Sequence, residues 1–150
     1  MRSTLSGEPE RLALRRAMAG ALRRLATPAC QKVFSDFRDA SGRPLQEGLD
    51  AIHETGASFM GWILFVDGSA ERRCRNSDVL AMTEPGSRSV WICTKQFTLT
   101  NERDPGLTEA VLINEELHAL GLGEGLVTTS EMITRRVVAR CGGRLPPAAP

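Results

Sequence analysis

The stretch Phe59-Met60-Gly61-Trp62-Ile63-Leu64-Phe65-Val66 constrains the fold more than any other part of the chain. It carries no charge, so neither face of an extended segment here welcomes water. An apolar run of this length, bounded by polar residues, predicts a central strand covered on both faces. Asp67-Gly68-Ser69 then turns the chain. Residues 79–83 and 89–94 are two further candidate strands joined by the turn Glu84-Pro85-Gly86-Ser87, so residues 78–94 read as a hairpin.

Helices must supply the cover. In residues 8–26, Leu12, Leu14, Met18, Leu22 and Leu25 recur at helical spacing with arginines between them, and Thr27-Pro28 ends the segment. Residues 30–39 read as a short helical turn with Val33, Phe34 and Phe37 inward, and residues 41–44 as a loop. Residues 45–54 look helical. Residues 101–106 form a polar loop, and Thr108 is a plausible N-cap for a helix running to about Leu120. Val111, Leu112, Leu117 and Leu120 make its apolar side, and Gly121 and Gly123 stop it. Ser130 is predicted to cap a last helix over 131–140, with Met132, Ile133 and Val137 inward; the proline-rich end, 145–150, is predicted to fray. The order predicts an α+β fold: an N-terminal helix, a small mostly antiparallel sheet, then two helices. The predicted segments are a basic amphipathic helix at 1–27, a main domain at 28–142 and a flexible tail at 143–150.

Composition narrows the function classes. The chain has 150 residues, 41% hydrophobic and 25% charged, which suits one globular domain. No run of about 18 apolar residues exists, so no membrane-spanning helix is expected. Seventeen of the nineteen basic residues are arginine, six of them before residue 25. Such a helix either presents an ordinary solvated face or acts as an adaptor for anionic partners. No signal-peptide core is visible, which leaves two settings: the cytoplasm, or export with a signal removed ahead of Met1. None of the four cysteines (Cys30, Cys74, Cys93, Cys141) pair as C-x-x-C, which excludes a zinc ribbon. Two disulfides in an exported protein and four buried thiols both remain open. Aromatics are only 5%, and no clear nucleic-acid surface, phosphate-cradling glycine loop or Ser-His-Asp arrangement stands out.

The chemistry is concentrated in residues 111–124, VLINEELHALGLGE. In a helix of H-E-x-x-H type two metal ligands sit one turn apart on one face, and the intervening glutamate serves as base toward water. In the extended form a glycine turns the chain, and the third ligand follows three residues later. Laid over that pattern, Glu115 falls on the catalytic glutamate, His118 on the second ligand, Gly121 on the turn glycine and Glu124 on the third ligand. Asn114 stands where the first histidine is expected. With only His53 and His118 present, a three-histidine zinc site within one chain is excluded, and nothing in the sequence brings His53 to His118.

The segment resembles the zincin metallopeptidases with the extended, metzincin-type motif. More loosely, residues 28–141 are similar to a group of small bacterial proteins regarded as zinc-dependent peptidases. The shared stretches are Pro28-Ala29-Cys30, Val33-Phe34-Ser35-Asp36-Phe37, the segment 61–68, the helix end 114–124 and Cys141. The resemblance implies a zincin-like domain, a zinc cofactor held by His118, Glu124 and Asn114, Glu115 as catalytic base, and a peptide or protein substrate. It also implies that the 79–94 hairpin lies along the cleft and pairs with extended substrate. Asn114 is the departure: an amide oxygen is a poor zinc ligand beside imidazole, so metal affinity should fall. Two functions from different classes follow: a metallopeptidase with an impaired or altered metal site, and a non-catalytic pseudo-protease or peptide-binding module on the same fold. No pattern specifies the substrate or the oligomeric state.

Overall fold

The computed structural model describes residues 1–126 and 128–143. The N-terminal half contains β1 (Arg2–Ser3), α1 (Glu8–Leu25), α2 (Pro28–Gln31), α3 (Val33–Asp36), α4 (Leu45–Ala51), α5 (Gly56–Phe59) and β2 (Leu64–Asp67). The remainder contains β3 (Ala81–Met82), β4 (Ser89–Ile92), α6 (Thr94–Arg103), α7 (Pro105–Ala119) and α8 (Ser130–Cys141). Single 3-10 turns lie at Met60–Trp62 and Arg72–Arg75. The architecture is α+β.

The apolar run 59–66 is not one strand. Thr55 and Ser58 form a reciprocal capping box: Ser58 N donates to Thr55 Oγ1 at 3.1 Å, and Thr55 N donates to Ser58 Oγ at 2.8 Å. Those bonds cap α5, which starts ahead of the apolar run and ends at its first residue, Phe59; the 3-10 turn Met60–Trp62 follows. Phe59, Met60 and Ile63 are buried on the way, and only Leu64–Asp67 enters the sheet. The sheet order is β1-β2-β4-β3. Here the structure corrects the mostly antiparallel expectation: β1 and β4 both run parallel to β2, and only β3 runs antiparallel, against β4. The hairpin turn was legible, but parallel pairing joins strands separated by a long excursion that no local pattern announces.

Helix α7 is the centre of the molecule. Twelve of its residues are buried, on every side of the helix, because α1, α6, α8 and the β3–β4 pair surround it. Leu112, Ile113 and Leu117 are at most 1% exposed, and each such side chain contributes about 2 kcal/mol by leaving water. Helix α1 adds Leu14, Met18 and Leu25 to the same core. It approaches α7 closely at Gly20, where a Cβ would collide with the Glu109 carboxylate. Arg24 binds that carboxylate at 3.2 Å and donates to Cys141 O at 3.1 Å, joining α1, α7 and α8.

Several element ends differ from expectation. Asp104 occupies the N-cap position of α7 and Pro105 its first turn. Thr108 lies one turn inside, donating to Asn101 Oδ1 at 2.7 Å. Thr129, not Ser130, caps α8 by accepting from Met132 N at 3.2 Å, and Met132 points outward, 53% exposed. Helix α6 was not expected. Its threonine-rich sequence has weak helix propensity, and Thr94, Phe97 and Asn101 hold its inner face. The predicted fraying of residues 145–150 lies outside the described residues.

The cysteines resolve into two disulfides, Cys30–Cys141 and Cys74–Cys93. The first spans 111 residues and ties α2 to the end of α8; beside it Arg140 holds Asp36 through bonds of 2.8 and 2.9 Å. Those bonds keep the Asp36 carboxyl below the usual carboxylate range. Closing so long a loop restricts the unfolded chain. Replacing Cys30 and Cys141 together by serine should therefore cost about 3 kcal/mol and lower Tm by roughly 6–12 °C in calorimetry. An unchanged Tm would show that Arg140 and apolar contacts alone hold α8.

Candidate functional site

A helix buried on all sides has no solvated face for its polar residues. Asn114, Glu115, Glu116 and His118 on α7 are each at most 7% exposed. Burying such groups costs free energy unless they find partners, so where they point is informative. Asn114, Glu115 and His118 line one groove of about 680 Å³ together with Glu124. The structure thus brings together all four positions expected from the motif. His53 is not among them; it is exposed, at φ 57° beyond the end of α4.

The geometry around His118 follows from how α7 ends. Gly121 has φ +114°, a conformation that L side chains resist. Its N–H donates to His118 O at 2.9 Å, and the Leu122 N–H donates to Leu117 O at 3.1 Å. This pair of bonds is a Schellman cap, which satisfies the last carbonyls and reverses the chain. The reversal carries Leu122 O to 2.7 Å from His118 Nδ1. A carbonyl oxygen only accepts, so Nδ1 carries the proton of that bond. In the neutral ring, Nε2 therefore presents its lone pair. Facing it at 3.0 Å is Glu124 Oε1, brought round by the same turn. Two electron-pair donors this close need a proton or a cation between them.

The helix's other carboxylates differ in setting. Burial pushes the Glu115 carboxyl up to about 8; the negative charge of Glu124 adds to that and the positive charge of Arg73 opposes it. Glu115 is the one placed on the groove as a proton acceptor or donor. Burial also raises the Glu116 carboxyl well above its ordinary value, and neither of its oxygens has a hydrogen-bond partner among the described residues. Asn114 Nδ2 donates to Thr134 Oγ1 of α8 at 3.2 Å, which leaves the amide oxygen as its remaining donor end toward a cation. Among the described residues no group of three or more histidine, cysteine, aspartate or glutamate side chains is placed to hold a metal ion. The three ligand positions of the motif, His118, Glu124 and Asn114, offer one imidazole, one carboxylate and one amide. That set fits a divalent cation held weakly, and it fits zinc less well than a site with a second imidazole.

The opposite wall is the end of the sheet. β3 is the edge strand, and Ala81 and Met82 line the groove. The turn after it docks on α7, with Gly86 N donating to His118 O at 2.8 Å. Val79, Thr83, Glu84 and Pro85 of the hairpin line the groove as well. Sequence reasoning missed Arg72 and Arg73, which also line the groove, and Thr134, which orients Asn114. The run Arg72-Arg73-Cys74-Arg75 was a visible basic cluster, but it reaches the groove because the Cys74–Cys93 disulfide, closing a separation of 19 residues, and Gln96 hold it at the start of α6. No family model, curated protein or solved structure matches the chain.

Proposed function

We propose that this chain is a zincin-type metallopeptidase-like protein, a hydrolase whose groove takes an extended peptide along β3 and a weakly held divalent cation at His118 and Glu124. The observation that carries the reading is the pair of facing donors, His118 Nε2 and Glu124 Oε1 at 3.0 Å, with Glu115 on the same groove. The spacing of Glu115, His118, Gly121 and Glu124 supports it independently. When bound, a divalent cation supplies Lewis acidity, polarising a carbonyl and acidifying water. The protein's own residues do the rest. The unpaired edge of β3 offers backbone N–H and C=O groups to an extended peptide. Glu115 takes a proton as water oxygen bonds to the peptide carbon, then returns it to the amine that leaves as the C–N bond breaks. The Nδ1–H bond to Leu122 O keeps the His118 ring aimed.

One observation favours a second reading. Asn114 gives an amide where a strong ligand is needed, which suits a pseudo-protease that holds peptide without cutting it. Isothermal titration with zinc, paired with cleavage of a fluorogenic peptide library, separates the two. The hydrolase reading expects one weak zinc equivalent that His118→Ala abolishes, and cleavage that Glu115→Gln abolishes while zinc binding remains. Zinc binding with peptide binding but no cleavage selects the pseudo-protease. No zinc uptake at millimolar concentration overturns the metallopeptidase reading.

A further inference from the structure

The groove has a second wall, which the hydrolytic chemistry feels only through the positive charge of Arg73 near Glu115. Arg72 and Arg73 sit on the 3-10 turn Arg72–Arg75 and line both the main groove and an adjoining cavity of about 230 Å³. That cavity also touches Met82 of β3 and Trp91 of β4, so it opens beside the edge strand, and Glu71 and Glu84 line it together with the two arginines. Arg24 is engaged with Glu109, Arg140 with Asp36 and Arg135 with Glu131. Arg72 and Arg73 have no ion pair or hydrogen-bonded side-chain partner among the described residues.

Their backbone is held in place. The Cys74–Cys93 disulfide pins the turn to the start of α6. Gln96 Nε2 donates to Cys74 O at 2.8 Å and Asn76 O at 3.2 Å, and Asn76 N donates to Arg73 O at 3.2 Å. A guanidinium group can grip a carboxylate by two parallel bonds, and the held turn keeps two of them side by side on the wall of the groove. Across the groove, Glu124 is already engaged by His118.

We propose that Arg72 and Arg73 form a carboxylate-recognition subsite, so that the peptide bound along β3 carries a carboxylate at this position, either an acidic side chain or its own C-terminus. The proposal rests on the peptide-groove reading and names its substrate class. It predicts that affinity depends on one peptide position, because the two arginines are neighbours on a single short turn.

The test is fluorescence anisotropy of the full chain with labelled extended octapeptides. One set moves a single glutamate through the sequence, a second carries glutamine instead, and each is made as free acid and as C-terminal amide. Proteins compared are the parent, Arg72→Gln/Arg73→Gln, and the charge-matched control Arg16→Gln/Arg23→Gln on exposed positions of α1. A carboxylate at one position should tighten binding about tenfold over its neutral counterpart, the gain expected of charge-assisted hydrogen bonds. The Arg72/Arg73 variant should lose that preference and keep its affinity for neutral peptides, and the control should retain it. Preference that follows the free acid assigns the C-terminus; preference that follows glutamate assigns a side chain. Equal binding of charged and neutral peptides, or a preference that survives in the Arg72/Arg73 variant, overturns the subsite and leaves the groove reading standing. Failure of every peptide to bind overturns both.

Discussion

Zinc should bind the Asn114→His variant more than about 100-fold tighter than the parent chain. Loss of an outer partner of a metal ligand typically costs 10–100-fold, so gain of a ligand itself should exceed that range. Position 114 lies one turn from His118 on α7, and both residues line the groove. A histidine there offers a nitrogen able to approach zinc to about 2.0–2.1 Å, where the parent offers an amide. Competition against a chromophoric chelator at neutral pH measures the change, with circular dichroism confirming that the variant folds. A variant that takes up zinc no better than the parent would mean that the motif spacing on α7 is coincidental. Because ligands must shed protons to bind metal, the gained affinity should also weaken as pH falls.

The second large effect is on stability. Glu115 and Glu116 are buried with raised carboxyl values, against an ordinary value of 4.5. A group whose folded value is raised leaves stability intact below the unfolded value and erodes it as pH climbs toward the folded value. Stability of the metal-free protein should therefore decline from about pH 4.5 upward, by about 1.4 kcal/mol per pH unit for each carboxyl. For Glu115, with its value at about 8, the loss over the window is on the order of 5 kcal/mol. Glu116→Gln should flatten the slope by one carboxyl's share in urea melts taken across that window. An unchanged slope would show that Glu116 does not stay protonated in the fold. Asp36 acts oppositely and lower: its carboxyl is depressed by Arg140, so its contribution is present above 3.8 and lost as pH falls further.

The candidate site was largely legible because its logic is local. Asn114, Glu115 and His118 share a helix, and Gly121 and Glu124 follow within six residues of His118, so spacing alone relates them. The Schellman reversal at Gly121 converts that spacing into the 3.0 Å approach of Glu124 to His118. Arg72, Arg73 and Thr134 were not legible as site residues. Each depends on a contact between distant segments: a disulfide brings the arginines to the groove, and the α7–α8 packing brings Thr134 to Asn114. The same division runs through the fold. Helix α1 and the Glu84–Ser87 turn rest on periodicity and turn chemistry that any short window reveals. Helix α6 has almost no apolar signal, and its place depends on Phe97 and Asn101 finding a core that other elements build.

The sequence by itself determined the α+β class, the chemistry available on α7 and the absence of a second imidazole at position 114. These depend on residue type and on separations of a few residues, where chain geometry leaves little freedom. Only the tertiary structure decided that the apolar run 59–66 yields a helix before its strand, that β2 pairs in parallel with β4, and that the cysteines join as two disulfides. Those outcomes turn on which distant surfaces bury one another, and that free energy belongs to the packed chain rather than to any segment of it.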